Sequence, residues 1–277
     1  MRFLNRLLQA IRRQIAVVLA IARYDINRKS TGSSIGSWEG VVGPMQIMLF
    51  FIAMRVGFSF LRGTNRFAAG GSTDMYFNIV IFIASGFSLA FLFRNVAIKA
   101  LAGLKLRAPL YYSRVKPLDI LLALSVNDLR ALATLSLAIL GLVWYFTWSF
   151  RLDSPGLAIS VYLLTVLMAI GFGICVVFLG GLNKWITKIL KRVIQRVVIF
   201  TSGIFFATFE LPANMRPFVT WNPILHAVEL FRYSMNNDYP IPDISLNYLV
   251  SCSILLLSFS LVLYRTNESL LLEANDD

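Results

Sequence analysis

The chain has 277 residues, is 57% hydrophobic and has a mean hydropathy of +0.71. This composition excludes an ordinary soluble protein and predicts an all-α integral membrane protein, since several weakly charged runs of about 19 to 27 residues could each cross a bilayer. The formal charge is +12, but the basic residues fall in separate loops and not on one face, which argues against nucleic-acid binding.

Residues 1–40 predict a helix that lies along a membrane surface. Apolar residues recur there at steps of four and three, with basic residues between them: Leu4, Leu8, Ile11, Ile15, Val18 and Ala22. This is the pattern of an amphipathic interface helix. A secretory signal peptide is the alternative, since Ile15 to Ala22 form a short apolar core after a basic start. The Gly- and Ser-rich stretch 30–40 predicts an elbow into the bilayer.

Spans 1 and 2 are predicted at 41–61 and 75–93. Span 1 contains Pro44 and Arg55. An arginine at the centre of a span costs about 2.5–3.5 kcal/mol on insertion scales. Arg55 therefore either extends to the far interface or lies on a water-filled path, and both interpretations stay open.

The loop 94–116 holds six basic residues and no acidic one, and it includes Pro109. A solvated loop on the positively charged side of the membrane would explain the charge alone. Its length and apolar content favour docking onto a cytoplasmic partner through its basic residues, of which we select Lys99, Lys105, Arg107, Arg114 and Lys116.

The second half of the chain predicts four more spans. Span 3 begins at Pro117 and reaches about residue 150, with 131–146 as its lipid-facing part, because Asp128 and Arg130 precede that part. Span 4 covers 156–182, and a basic loop follows at 183–196. Span 5, at 193–209, is near the lower length limit for crossing. Span 6 covers 246–264, before a short tail.

The basic residues alternate between the predicted loops. One set of alternate segments holds 19 basic residues and the other holds 5, which places both termini in the cytoplasm by the positive-inside rule. The sequence thus predicts one transmembrane domain over 1–277, made of an interface helix and elbow (1–40), six spans (41–265) and a cytoplasmic tail (266–277).

The segment 209–233 contains His226, the single histidine of the chain. His226 and Glu229 lie one helical turn apart, but no second histidine or thiol is near enough in sequence to complete a zinc site. A structural interpretation fits better: Asn222 caps a short helix, Pro223 begins it, and Glu229 pairs with Arg232. We expect an amphipathic helix at the outer interface, in a re-entrant hairpin that forms a periplasmic gate with Trp221, Asn222, Pro223, His226, Glu229 and Arg232.

The run Trp221 to Leu230, WNPILHAVEL, closely resembles the signature W-N-P-x-x-H-x-V-E-L of capsule-polysaccharide ABC exporter permeases of the KpsM/BexB type. Arg114 to Asp119, RVKPLD, is similar to the start of span 3 in that family. Further similarities lie at Asp25-Ile26, Ile35-Gly36, Pro44, 245–249 and 263–266. The resemblance covers about 25–268, and it departs at the elbow, where Trp38 is offset by one position and Glu39 follows.

The resemblance implies a half-transporter that works as a homodimer, with a separate ATPase beneath each copy and periplasmic and outer-membrane partners. ATP and Mg²⁺ would bind to the ATPase. This chain would bind no cofactor, and its sequence lacks the G-x-x-x-x-G-K-[ST] phosphate loop. The loop 94–116 would carry the coupling helix. The substrate would be a lipid-linked polysaccharide crossing the bacterial inner membrane, along a path that we predict to include Arg55, Asp128, Arg130, Phe87, Phe91, Trp144 and Tyr145.

Three alternatives remain at this stage. An exporter of another glycan, such as O-antigen or teichoic acid, would share most of these features. A membrane-embedded glycan-modifying enzyme would need converging catalytic residues within the spans, and few are present. A structural scaffold would not need the charged residues of spans 1 and 3.

Overall fold

The computed structural model describes residues 2–30, 39–61, 76–101, 115–147 and 152–267. Within these ranges the chain forms helices and no strand, which confirms the all-α prediction. The helices are α1 (Arg2–Ser30), α2 (Glu39–Leu61), α3 (Ile79–Leu101), α4 (Pro117–Thr147), α5 (Pro155–Leu182), α6 (Lys184–Thr201), α7 (Pro217–Thr220), α8 (Pro223–Met235) and α9 (Leu246–Thr266), with a short 3-10 helix at Thr208–Glu210.

The longest apolar helices surround α3. It packs against α2, α4, α5, α6 and α8, and 83% of its apolar window is buried, against 17% for α9 at the edge. Four helices in the described ranges are long and apolar enough to cross a membrane, at Ile79–Ala100, Leu118–Ala138, Pro155–Gly180 and Leu246–Thr266. A shorter apolar stretch, Val41–Gly57, lies in α2. These match predicted spans 2, 3, 4 and 6 and part of span 1, while the six-span topology stays a prediction.

Two predicted boundaries around α3 and α4 are wrong. Helix α3 continues to Leu101, so the first eight residues of the predicted loop 94–116 are helical. The apolar window of α4 is Leu118–Ala138 and not 131–146. The physical reason is that its polar residues are satisfied by neighbouring helices: Asp128 forms an ion pair with Lys99 of α3, and Asn127 bonds to α1.

The predicted boundaries of the basic loop (183–196) and of span 5 (193–209) are also wrong. A single helix, α6, runs from Lys184 to Thr201 and contains the basic residues. It begins immediately after α5, where the side chain of Asn183 accepts a hydrogen bond from the Trp185 N–H at 2.8 Å. The chain then leaves the helix, and the region after Thr201 is a turn.

Helix α1 is docked on the bundle. Val18, Ile21 and Ala22 are buried against α4, and Asn127 donates from Nδ2 to the Ala22 carbonyl at 3.1 Å and to Asp25 Oδ2 at 3.3 Å. Gln14 also donates to Asp119 at the start of α4. A helix anchored in this way belongs to the fold, which argues against the signal-peptide alternative. Membrane contact by its outer face stays a prediction.

Helices α5 and α9 approach closely at Gly171. A Cβ added there would lie 3.0 Å from the Leu257 Cα and 3.0 Å from its nitrogen, so any larger residue would have to push the backbone of α9 away. Gly141, inside α4, has nothing within 4 Å of the same position.

We therefore expect Gly171→Ala to destabilise the protein by about 1–3 kcal/mol through overpacking, although alanine favours helix elsewhere. Gly141→Ala is the matched control and should leave stability unchanged or raised. Thermal unfolding in detergent, followed by size-exclusion of the remaining folded protein, measures both. Equal melting temperatures for the two variants would contradict this close contact.

Candidate functional site

The start of α8 is fixed by Asn222 and Pro223. Asn222 accepts a hydrogen bond from the Ile224 N–H at 3.0 Å, and Pro223 begins the helix. The Asn222 amide also donates to the hydroxyl of Thr201 at 2.7 Å and to its carbonyl at 3.2 Å. One side chain therefore caps α8 and ties it to the end of α6, and the predicted cap is confirmed.

His226 joins three elements of this region. Its Nδ1 accepts from the Ser245 N–H at 3.0 Å, just before α9, and its Nε2 lies 2.7 Å from the Thr220 carbonyl at the end of α7. Because a carbonyl only accepts, the neutral ring with the proton on Nε2 satisfies both bonds. Burial lowers the pKa of His226 from its ordinary value of 6.5. The ring is a structural connector, as predicted.

Arg232 forms a node at the opposite end of α8. Its guanidinium is fully buried and lies 3.0 Å from the equally buried Glu229 carboxylate. It donates from Nη2 to the Phe82 carbonyl of α3 at 3.0 Å, and its Cζ sits 3.5 Å from the centre of the Phe82 ring. Longer bonds reach the Ser85 hydroxyl and the Phe206 carbonyl, both at 3.4 Å. The predicted pair is confirmed, and it connects α3, α8 and the segment after α6.

Small residues make room for this node. A Cβ on Gly86 would lie 3.1 Å from Arg232 Nη2 and 3.0 Å from the Ile204 Cα. Gly203 turns the chain at φ +75°, and a Cβ there would come within 2.5 Å of Leu225. Glycine at position 86 therefore favours the close approach of the guanidinium and of the turn after α6 to α3, and glycine at position 203 permits the positive φ of that turn.

Helix α8 is buried on nearly all sides, with eleven of its thirteen residues inaccessible. We expected an amphipathic helix with one face at the outer interface. The structure shows a helix that other parts of the protein cover on nearly all sides, so that expectation is wrong. Glu229 Oε2 and the hydroxyls of Thr208 and Tyr239 are buried in the same cluster, so the two hydroxyls are the polar groups nearest to the carboxylate besides Arg232. This arrangement holds elements together, and its arginine is paired with a carboxylate. The described residues contain no cluster of three metal-ligating side chains.

The other predicted site residues are dispersed. Asp128 and Lys99, assigned to different sites, form one ion pair between α3 and α4. Phe87 and Phe91 are each 1% exposed and stack at 3.6 Å inside the core, with Arg94 above Phe91. The two phenylalanines therefore pack in the core, and their role in a translocation path stays a prediction.

Arg130 and Tyr145 are exposed on α4, and Arg55 is half-buried on α2, so the path residues do not converge in a single chain. Trp221 is 61% exposed, and its carbonyl accepts from the Tyr248 hydroxyl at 2.6 Å. Lys116 is exposed next to α4. The side chain of Trp144 lies outside the described residues, as do the remaining coupling residues, Lys105, Arg107 and Arg114.

Sequence reasoning missed the surface of α6. Its basic residues were counted as a loop, although the spacing of Ile186, Leu190, Ile194 and Val198 is helical and could have revealed the helix. Phe82 and Ser85 of α3, which contact Arg232, belong to no sequence pattern that would have predicted this contact.

Comparison with known proteins gives consistent homologues. The chain is 24% identical over 193 residues to the polysialic acid transport protein KpsM of Escherichia coli, which is 69% of this chain and 74% of that protein. It is 23% identical over 261 residues to the capsule polysaccharide export inner-membrane protein BexB of Haemophilus influenzae, 93% of each chain.

A third homologue is the capsule polysaccharide export inner-membrane protein CtrC of Neisseria meningitidis serogroup B, 25% identical over 187 residues, or 67% of this chain and 70% of CtrC. No protein-family profile matches the chain. The homologues are thus capsule polysaccharide export inner-membrane proteins, and the resemblance read from the motifs is confirmed.

The buried ion pair predicts a specific pattern of stability. Arg232→Met should cost about 3–5 kcal/mol, because it leaves the Glu229 carboxylate buried and uncompensated. The double variant Arg232→Met/Glu229→Leu removes both charges and should recover part of that loss. Folded yield and thermal unfolding in detergent compare the three proteins, and a double variant no more stable than the single one would refute the charge-pair explanation.

The His226 geometry predicts acid sensitivity. The unfolded chain binds a proton at His226 below about pH 6.5, whereas the folded ring, with its lowered pKa, resists protonation. The contribution of His226 is therefore present above pH 6.5 and is lost as pH falls toward 5.

His226→Asn is the control, since its side chain can accept from Ser245 and stays neutral. Melting temperatures measured from pH 8 to pH 5 should fall less steeply for this variant. Since the chain has no other histidine, an unchanged slope would show that His226 is not the group responsible.

Proposed function

We propose that this chain is the membrane permease of an exporter that moves capsular polysaccharide across the bacterial inner membrane. The observation that carries the proposal is the set of capsule-export homologues that match 67–93% of the chain. Four helices long and apolar enough to cross a bilayer support a membrane location. The WNPILHAVEL run, which resembles the family signature, supplies the cap, the histidine connector and the carboxylate of the buried ion pair.

The finer proposal is a homodimer of six-span subunits with both termini in the cytoplasm and an ATPase beneath each copy. The orientation rests on the basic residues outside α6, since those of the predicted loop 183–196 lie in that helix: the N-terminal segment, the loop 94–116 and the stretch after predicted span 6 still hold 14 basic residues against 5 in the alternate segments. ATP hydrolysis belongs to the partner chain, and this chain contributes the pathway. The loop 94–116 would receive the ATPase, since its helical first part is tied to α4 through Lys99 and Asp128. A movement of the loop would then be passed directly to α3 and α4.

The hairpin between α6 and α9 is proposed as the periplasmic gate, partly re-entrant. It is joined to α6 through Thr201, to α3 through Arg232 and to α9 through Ser245. These three attachments would let the hairpin follow the motion of the spans. Export onward would require periplasmic and outer-membrane partners. A lipid-linked substrate is part of the same proposal, and another exported glycan is the alternative.

Deletion of the gene tests the function directly. We expect loss of surface capsule with polymer retained in the cytoplasm, and restoration by a plasmid copy of the native chain. Normal surface capsule in the deletion strain would contradict the proposal, whereas surface loss with no polymer inside the cell would indicate a role in synthesis.

The coupling loop gives a second prediction. Lys105→Gln/Arg107→Gln should reduce co-purification of the partner ATPase several-fold while the amount of permease is unchanged, because charged residues at an interface contribute to docking. Arg12→Gln/Arg13→Gln on the exposed face of α1 is the matched control. Undiminished ATPase recovery with the loop variant would place the docking surface elsewhere.

A further inference from the structure

Helix α6 has three different faces. One is buried against α3 and α5, where Ile194 is 2% exposed and Val198 is 9% exposed. A second is apolar and exposed, with Val193, Val197 and Phe200. The third carries four exposed cations, the α6 cation row, which consists of Lys188, Lys191, Arg192 and Arg196. A helix that only faced lipid and protein would need the first two faces alone.

The positive charges of the α6 cation row are not neutralised by acidic residues of the described chain. Helix α6 contains no acidic residue. No member of the row forms an ion pair with any residue in the part of the chain that the structure describes. Arg232 and Lys99 differ from these four cations, because each forms an ion pair with a carboxylate. Four neighbouring cations repel one another, and an anionic partner would relieve that repulsion.

The row is longer along the helix axis than one headgroup layer is thick. A single residue, Asn183, separates α6 from α5, and α6 packs against α3 and α5. Lys188 and Arg196 are separated by about 12 Å at 1.5 Å per residue, whereas a headgroup layer is roughly 5–8 Å thick. If α6 stands across the membrane, part of the row passes beyond the headgroups, where charged side chains face a water-filled cavity or an anion.

Aromatic rings continue the same surface. Phe200, on the last turn of α6, is 67% exposed, and Phe50 of α2 is 63% exposed. The two are connected through two further rings: Phe205 lies 6.4 Å from Phe200 and 4.9 Å from Phe51, and Phe51 lies 5.8 Å from Phe50, between ring centres. The cation row thus leads to an aromatic patch where α2 approaches the turn after α6.

We infer that this α2–α6 face binds a polyanionic glycan during its passage. Carboxylate or phosphate groups of the polymer would contact the cation row, and sugar rings would lie against the aromatic patch. The inference rests on the proposed function and adds the class of polymer and the residues that bind it. In a two-fold dimer an interface brings identical patches together, so two cation rows facing each other would leave a hydrated space instead of closing.

Binding by purified protein tests the inference. The variant Lys188→Gln/Lys191→Gln/Arg192→Gln/Arg196→Gln removes the row, and Arg12→Gln/Arg13→Gln/Arg23→Gln/Arg28→Gln removes the same charge from exposed positions of α1. The probes are a fluorescent polygalacturonate oligomer, an uncharged dextran oligomer of equal length, and phosphatidylglycerol in nanodiscs. Polygalacturonate should bind the row variant at least about tenfold more weakly and with a shallower salt dependence, as loss of ion contacts predicts. The α1 variant should bind as the native chain does.

Equal polygalacturonate affinity for the native chain and the row variant would overturn the inference. Equal weakening by the α1 variant would show an effect of net charge and would also overturn it. So would selective loss of phosphatidylglycerol with polygalacturonate binding intact, which assigns the row to lipid. If the fourfold variant fails to remain monodisperse, Lys188→Gln and Arg192→Gln are measured singly against Arg12→Gln, with the same criteria.

This assay needs no export, so its failure is separate from that of the proposed function. A native chain that restores capsule in cells but does not use the row for binding would overturn the inference alone. A chain that cannot restore capsule would overturn the proposed function whatever it binds.

Discussion

The rest of the hairpin depends on the ion pair between Arg232 and Glu229. Both side chains are fully buried, and a charge in such surroundings is stable only when a partner and further hydrogen bonds replace water. The partners come from α8 itself, from the Phe82 carbonyl of α3 and from the Phe206 carbonyl after α6. Satisfying one guanidinium therefore fixes the position of three elements. The glycines at 86 and 203 fit that requirement, because the first leaves room for the guanidinium and the Ile204 backbone and the second permits the positive φ of the turn.

The cations of this chain fall into two groups with different uses. Arg232 and Lys99 are paired with carboxylates and join helices, so they contribute to the scaffold. The α6 cation row is exposed and has no carboxylate partner in the described chain, so its charge remains available to something outside the subunit. In the proposed exporter the two kinds would act differently. The first would hold the helices together while they move, and the second would supply the hydrated, positively charged surface that we infer to bind the polymer.

The sequence predicted local features well and distant pairings poorly. The Asn222 cap, the Pro223 start and the Glu229–Arg232 pair each depend on residues within one helical turn, where spacing determines contact. The Lys99–Asp128 pair depends on the register of two long helices, and the contact of Arg232 with Phe82 joins residues 150 positions apart. Neither follows from spacing. Helix α6 was misread for another reason: its charge suggested a loop, and charge on one helical face outweighed the apolar periodicity on the other.

The most direct measurement is site-specific photo-crosslinking in cells that are exporting capsule. A photoreactive residue at position 192, on the α6 cation row, should yield permease covalently joined to polysaccharide, and only when the partner ATPase is active. The same residue at position 194, on the buried face of α6, should yield none. Polysaccharide adducts at both positions, or at neither while export proceeds normally, would contradict a pathway along this face.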